Sequence, residues 1–495
     1  MSYGLDTTNP DALTGLRLTG SSGAVYTLGK KIKQGGEGIT YEAVGAPNKI
    51  IKLYRSDKLS TADFREREAK ISVMLCNPPA AQSNRPFVAW PTDLLRNNGI
   101  FVGFVMPRAD SVGNLKSATR PDEIPKHYPN YTWRYGVIIA RNLATAVGLV
   151  HNCGAVVGDL NHNNILVDSH GYITLIDTDS FTINDRRTGA VYKTKVALPE
   201  IVAPELQGLN WSDESSVFTR ESDCFSLAVH IFGLLCNNGH PFSCIWTGNN
   251  SSVSSCDDRQ VRNIITGRCA YVSNPNPHTR PQRNIPSMDM FPGYIRDLFD
   301  RAFSYNEANA KSSSVIKARP SAAEWLTALD KLLQEPTHTC TKYATHVYPA
   351  IYGKCPWCEI GLRPVSVAPN PAPNPAPAPK PAPKPQPSSR PAPTFTPYRT
   401  KTPVRPAPLR STKWLSIPAV VFGACGGSGD GVISSAAFQL IFIIIGALIG
   451  LGAARIFKNK FLKAKTTFRA FGWVAAACLA AVTVAAGIVA LFTLV

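Results

Sequence analysis

At 495 residues, with 44% hydrophobic and 17% charged side chains, the chain can hold one or two buried cores and is too apolar to be wholly disordered. Its formal charge of +18 would suggest a nucleic-acid binder if it were spread over a globular domain, but residues 362–413 carry nine Lys/Arg and residues 455–469 carry six, with no acid in either stretch. The remainder is close to neutral, which excludes nucleic acid as the expected partner and favours an anionic membrane surface.

Taken in order, residues 1–40 are polar and Gly/Thr-rich without a secretory pattern, so the twelve scattered cysteines are expected to be reduced in a cytosolic compartment. Residues 25–54 alternate apolar and polar around a Gly-rich turn and predict three strands. Gly35 and Gly38 in that turn would let backbone approach a phosphate, although an ordinary hairpin uses glycine too. Lys52 sits between apolar residues of the third strand, where an ammonium needs a partner. The helix predicted over 61–75 offers Glu68, with Glu66 as the competitor; Arg65, Glu66 and Arg67 otherwise read as a solvated charge run. Strands over 87–90 and 100–106 lead to Met106-Pro107-Arg108. A long helix over 133–154 comes next, with apolar residues at helical spacing. Then comes VVGDLNHNNILVDSHGYITLIDTDSF, residues 156–181, in which two short apolar strands can aim Asp159, Asn164 and Asp177 at one point. Phosphoryl transfer requires such a set: a carboxylate to orient the attacking hydroxyl, and a carboxamide and second carboxylate to hold Mg²⁺ against phosphates.

The intervals of five residues from Asp159 to Asn164 and thirteen more to Asp177 resemble those of eukaryotic-type (Hanks-type) bacterial Ser/Thr protein kinases. The resemblance continues through Ala203-Pro204-Glu205, Ser222-Asp223, Gly239-His240-Pro241-Phe242 and Arg319-Pro320. It implies an α+β, bilobal protein-kinase-like fold, with an N-lobe over 25–107 and a C-lobe over 108–332. It further implies that Gly35 and Gly38 cover the phosphates of ATP, with Lys33 where a first glycine would stand. Lys52 would hold the α/β-phosphates and be positioned by Glu68. Asp159 would be the catalytic base, Asn164 and Asp177 the Mg²⁺ ligands, Met106–Arg108 the hinge, Glu205 and Arg319 a buried ion pair, and Asp223 a cap on the catalytic loop. His151, His162 and His230 receive no chemistry. The chain departs from the pattern at Val157-Gly158 in place of His-Arg, Asn161 in place of Lys, and Thr178-Asp179 in place of Phe-Gly. Losing the Arg makes control by loop phosphorylation unexpected and predicts that alanine at Thr188 or Thr194 leaves most activity in place. Losing the Lys predicts a slow enzyme, or else a pseudokinase scaffold that binds nucleotide without transferring phosphate. A dinucleotide-binding reading fails because no acid ends the second strand at the required distance.

Cys340, His346, Cys355 and Cys358 match a structural zinc ribbon over 336–362, with His338 in place of His346, or a redox Cys-x-x-Cys pair, as open alternatives. Such a ribbon directly behind kinase motifs resembles the kinases of the TerY-phosphatase-kinase triads, including YegI-like kinases. That resemblance implies protein substrates, with a PP2C-type phosphatase and a von Willebrand A-type protein as partners. Residues 363–413 form a Pro-rich basic linker, expected to be extended and to reach on the order of 100 Å. Residues 414–495 read as a membrane region with two or three transmembrane helices, the clear spans being 436–454 and 472–495. A short third passage over 414–425 would return the basic loop 455–469 to the inside. These features place the chain in the bacterial inner membrane, its kinase-like part in the cytoplasm.

Overall fold

The computed structural model describes residues 5–363 apart from 81–84, 130, 214–215 and 249–255. The linker beyond residue 363 and both predicted spans lie outside the described residues; among the described residues no helix is long and apolar enough to cross a membrane.

A short strand that has too few residues to show a period, β1 (Arg17–Gly20), precedes the three strands expected over 25–54, which form as β2 (Val25–Gln34), β3 (Gly38–Ala43) and β4 (Lys49–Tyr54). Helix α1 (Thr61–Cys76) comes after them, started by a capping box between Ser60 and Asp63. Strands β5 (Asp93–Asn97) and β6 (Ile100–Pro107) complete a sheet of order β1-β2-β3-β4-β6-β5. Because β1 also pairs with β5, Thr19 opposite Arg96, the sheet closes into a barrel and leaves no free edge. Strand β4 shows how the pleat divides the work. Ile51 and Leu53 enter a barrel core with Leu18, Leu28, Ile39, Tyr41 and Val105, while Ile50 and Tyr54 face the other way, into a core with Phe64 and Ile71 of α1. Lys52 belongs to that second face. Residues 87–90 are not a barrel strand: Val88 makes an isolated parallel bridge to Leu175, and the stretch thereby joins the barrel to the helical part of the chain.

A two-residue strand β7 (Gly113–Asn114) and short helices α2 (Leu115–Thr119) and α3 (Ile124–His127) lead into α4 (Trp133–Asn152), whose residues Val137, Ile139, Ala140, Leu143, Ala146, Val147 and Val150 are all buried. Strands β8 (Ile165–Val167) and β9 (Ile173–Leu175) pair antiparallel, with β7 beside β8. A second hairpin, β10 (Ile183–Asn184) and β11 (Val191–Tyr192), precedes the buried helix α5 (Arg220–Leu235). The rest comprises β12 (Cys244–Trp246), α6 (Cys256–Thr266), β13 (Thr279–Pro281), α7 (Gly293–Phe303), α8 (Ser313–Ala318) and α9 (Ala322–Gln334), which packs along α4. A small ribbon ends the described chain: β14 (Thr337–Thr339), β15 (Val347–Pro349) and α10 (Pro356–Glu359). It is no separate bead, since Trp357 is buried in the same core as α4 and α9.

His230 of α5 is 9% exposed and bonds through Nε2 to the Leu160 carbonyl at 2.6 Å, next to Asp159. Burial lowers its pKa to about 4. The folded protein therefore keeps this ring neutral while the unfolded chain protonates it near the ordinary value of about 6.5. Its contribution is complete above that value and is lost as pH falls toward 4, at a limiting slope of about 1.4 kcal/mol per pH unit. Urea unfolding between pH 6.5 and 4.5 should accordingly show a shallower pH dependence for His230→Gln than for wild type, whatever the absolute stability of the variant.

Candidate active site

The β8–β9 hairpin sets the geometry of the site. Asn164 stands just before β8, and its carbonyl accepts a hydrogen bond from Ile176 N–H at 2.9 Å, which ties the catalytic stretch to the residue preceding Asp177. Asp177 adopts a left-handed backbone, φ 60° and ψ 36°, a conformation that a non-glycine residue holds only where its surroundings enforce it. Here they do: Ser180 donates to the Asp177 carbonyl through N–H at 3.0 Å and Oγ at 2.7 Å, and Thr178 Oγ1 donates to Ala89 O at 3.0 Å. The segment 87–90, expected as a strand, is thus the anchor of the loop that carries Asp177.

Lys52 meets two carboxylates, Asp177 Oδ1 and Asp179 Oδ1, each at 2.6 Å. Burial alone would depress the ammonium, but Asp179 and Asp177 outweigh it and hold its pKa above that of an ordinary lysine. Asp179, 5% exposed, is in turn kept below the usual carboxylate range: its burial works against the charge, and Lys52 and the Tyr54 hydroxyl overcome it. Gly38 permits this arrangement, because a Cβ there would lie 2.9 Å from Lys52 Cε. Gly35 N–H closes the Gly-rich turn on Gly38 O at 2.8 Å, and a Cβ at Gly36 would meet open space.

The expected partnership of Lys52 with Glu68 does not form. Glu68 pairs instead with Arg96 of β5, and its competitor Glu66 pairs with Lys195 at 3.1 Å. The cause is helix rotation. Phe64, Lys70, Ile71 and Met74 are the buried residues of α1, and the rows flanking them place Arg67, not an acid, over the Tyr54 ring, with its guanidinium carbon 5.0 Å from the ring centroid. Successive residues differ by about 100° around a helix, so Glu68 turns toward β5. Asp179 and Tyr54 are the site residues that sequence reasoning missed. A carboxylate two positions beyond Asp177, and a tyrosine two positions beyond Lys52 on the same strand face, were the signals available.

Asp159 is pushed up to about 7, first by burial and then by the charges of Asp177 and Glu200, with the Leu198 N–H opposing. Its Oδ1 is buried without a hydrogen-bond partner among the described residues. The loop carrying it is held from beneath by Asp223, which accepts from Val157 N at 2.7 Å, Gly158 N at 2.8 Å and His151 Nε2 at 2.9 Å. Glu205 and Arg319 form the expected pair, bidentate at 2.6 and 2.7 Å, with the Arg319 side chain fully buried. Asn161, at the position of the missing lysine, spends its Oδ1 on the Asn163 N–H at 2.9 Å.

With this geometry in view, the chain can be set beside known proteins. The chain is 31% identical over 351 residues to protein kinase YegI of Escherichia coli (strain K12), covering 70% of this chain and 50% of that protein. The corresponding protein of Escherichia coli O157:H7 is 31% identical over 344 residues, covering 69% of this chain and 50% of that protein. Over the matched residues the chain is similar to the YegI-like protein kinases. It matches about half the length of these curated relatives. Serine/threonine-protein kinase fray2 of Dictyostelium discoideum is 27% identical over 187 residues, 37% of this chain and 17% of that protein. No family model matches the chain.

Apart from this cleft, Cys340, His346, Cys355 and Cys358 bring their ligand atoms within 4.8 Å of one another. Cys340 Sγ lies 3.6 Å from Cys358 Sγ, and His346 Nδ1 lies 3.6 Å from Cys355 Sγ and 3.7 Å from Cys358 Sγ. Sulfurs bound to one tetrahedral zinc at about 2.3 Å would stand about 3.8 Å apart, so these residues fit the ion. His338 is not among them; its ring packs on Tyr348. The cluster should hold close to one zinc per chain. Metal analysis of the purified protein checks this, with Cys355→Ser expected to lower both zinc content and melting temperature because Trp357 ties the ribbon to the core.

Proposed function

We propose that the chain transfers the γ-phosphoryl group of Mg-ATP to serine and threonine hydroxyls of protein substrates. The observation that carries this reading is the meeting of Lys52 with Asp177 near a half-buried Asp159 whose buried Oδ1 has no protein hydrogen-bond partner among the described residues. Mg-ATP, when bound, brings the transferable phosphoryl group and the divalent charge that offsets it. Asn164 and Asp177 are the residues that would hold the cation, and Lys52 would meet the α/β-phosphates. Asp159 orients the incoming hydroxyl and accepts its proton, a role for which a carboxyl group near 7 is matched to neutral conditions. Because positioning and charge do most of the work in phosphoryl transfer, these contacts account for the chemistry without a covalent intermediate.

One observation favours the scaffold reading in part. Asn161 offers no cation beside Asp159, and its side chain is already committed to the backbone, so a low turnover belongs with the proposal. Tethering to the cytoplasmic membrane through residues 414–495, with the catalytic part on the ATP side, is the arrangement that hydropathy and charge support. A PP2C-type phosphatase and a von Willebrand A-type protein are the partners proposed on resemblance.

Control by phosphorylation of the segment before Glu205 is not part of this reading. Thr194 is 1% exposed and donates through Oγ1 to Ser180 O at 3.0 Å, while its N–H donates to Thr182 Oγ1 at 3.0 Å. Gly158 has a φ of +72°, and a Cβ there would collide with the Thr194 side chain, so the arginine that would read a phosphate has no room. The expectation that alanine at Thr194 would be harmless is corrected on these contacts: the residue is no switch, but it is structural.

Transfer of label from γ-labelled ATP to a lysate or to the chain itself tests the proposal. Asp159→Asn should reduce transfer to background while Mg-ATP still binds, and Asp177→Asn should lose binding and transfer together. Thr188→Ala should keep most activity, and Thr194→Ser should keep far more than Thr194→Ala. Wild type that binds Mg-ATP but labels nothing above the Asp159→Asn control would replace the kinase reading with the scaffold.

A further inference from the structure

Two acids stand near Lys52, and they are not equivalent. Asp177 is a metal-ligand candidate, 46% exposed at its side chain and free to turn outward to a cation. Asp179 is buried, with both oxygens committed: Oδ1 to Lys52 at 2.6 Å and Oδ2 to the Tyr54 hydroxyl at 2.8 Å. Once a cation engages Asp177, Asp179 is the carboxylate left to hold Lys52. Helix α1 approaches the same acid with positive charge. Arg67 lies over the Tyr54 ring and pairs with Glu37 of the Gly-rich turn at 2.5 Å, and Lys70, 6% exposed, lies within electrostatic reach of Asp179. No acid of α1 enters the site, because Glu68 is held by Arg96 and Glu66 by Lys195.

We infer that Asp179 is the positioning residue for Lys52, in the role expected of Glu68, and that α1 joins the site through the cations Arg67 and Lys70. The inference rests on the phosphotransferase reading but uses a contact that the reading does not require. Its physical content is a change in what must be assembled. The loop that sets Asp177 in its left-handed conformation also carries Asp179, two residues on, so a single loop placement supplies the metal ligand and fixes the lysine. Rotation of α1 is then no condition for forming the ion pair. Arg67 extends the same chain of contacts from Asp179 through Tyr54 to Glu37, and thereby ties the Gly-rich turn to the metal-binding loop.

The test uses the 495-residue chain and two readouts: calorimetric affinity for Mg-ATP, and steady-state kcat and KM for ATP at varied Mg²⁺. Asp179→Asn should lower kcat/KM by about 30-fold or more, weaken Mg-ATP binding and raise the Mg²⁺ requirement, because Lys52 then competes for Asp177. Asp179→Glu should restore part of the loss. Tyr54→Phe should have an intermediate effect, and Glu68→Gln should stay within about twofold of wild type. A tenfold loss in Glu68→Gln with an unchanged melting temperature, or an Asp179→Asn within about threefold of wild type, overturns the inference. If Asp179→Asn fails to fold, Glu68→Gln decides alone by the same thresholds. If wild type binds Mg-ATP without transferring phosphate, the kinase reading fails while the order of binding affinities still judges Asp179.

Discussion

A buried ammonium is the constraint from which most of this structure can be argued. Lys52 has 12% of its side chain exposed, on a strand whose alternate residues fill the barrel, and an isolated charge in that position would cost several kcal/mol. The fold answers by bringing the loop after β9 up against β4, so that Asp177 and Asp179 both reach the ammonium. That single demand couples the barrel to the helical part more tightly than the apolar contacts could alone, because removing either acid leaves a charge undercompensated. It also explains the strain at Asp177. The left-handed backbone there turns two carboxylates, two residues apart, toward one lysine, and the hydrogen bonds of Ser180 and Thr178 hold the turn in place.

What could be read from the sequence was what is local or strictly spaced. Asn164 and Asp177 flank a hairpin of two three-residue strands and Asp159 stands one short turn before it, so their intervals nearly determine their geometry. Arg319 and Glu205 lie 114 residues apart, yet each sits in a motif whose company identifies it. The Cys/His cluster was legible because few arrangements other than a tetrahedral ion explain three cysteines and a histidine in about twenty residues. The partner of Lys52 was not legible. Choosing between Glu66 and Glu68 assumed that an acid of α1 must point inward, but the rotation of a helix is fixed by its apolar row and cannot be read from its charges. The hydrophobic row of α1 presents Arg67 and Lys70, and the acid comes from elsewhere. Strand β1 was invisible for another reason: four residues, two of them Thr and Gly, carry no period, and only closure on β5 makes them a strand.

The ribbon illustrates how a small element obtains a core. Its strands have three residues each and its helix four, too little to bury a core of their own. It draws on two other sources. The four ligands can be crosslinked by an ion, and Trp357 enters the body of the helical part while its Nε1 donates back to Val347 O at 2.8 Å. The ribbon therefore belongs mechanically to the helical part, and loss of its metal would be felt as lost packing near α9, some distance from Asp159.

The segment between Asp177 and Glu205 shows a comparable substitution of one physical solution for another. Where a phosphate and an arginine would hold such a segment by charge, this chain uses Thr194, Thr182 and Ser180 with ordinary hydrogen bonds, sealed beneath the surface by Gly158. Each bond contributes only about 1 kcal/mol net, but each is present from folding onward and needs no modifying enzyme. Lys195 and Glu66 add an exposed pair to α1, worth little by itself. A segment held in this way takes its hydrogen bonds from its own residues and not from an added phosphate. Under the phosphotransferase proposal, regulation would then act elsewhere than on this segment, and turnover would depend on the residues around Lys52.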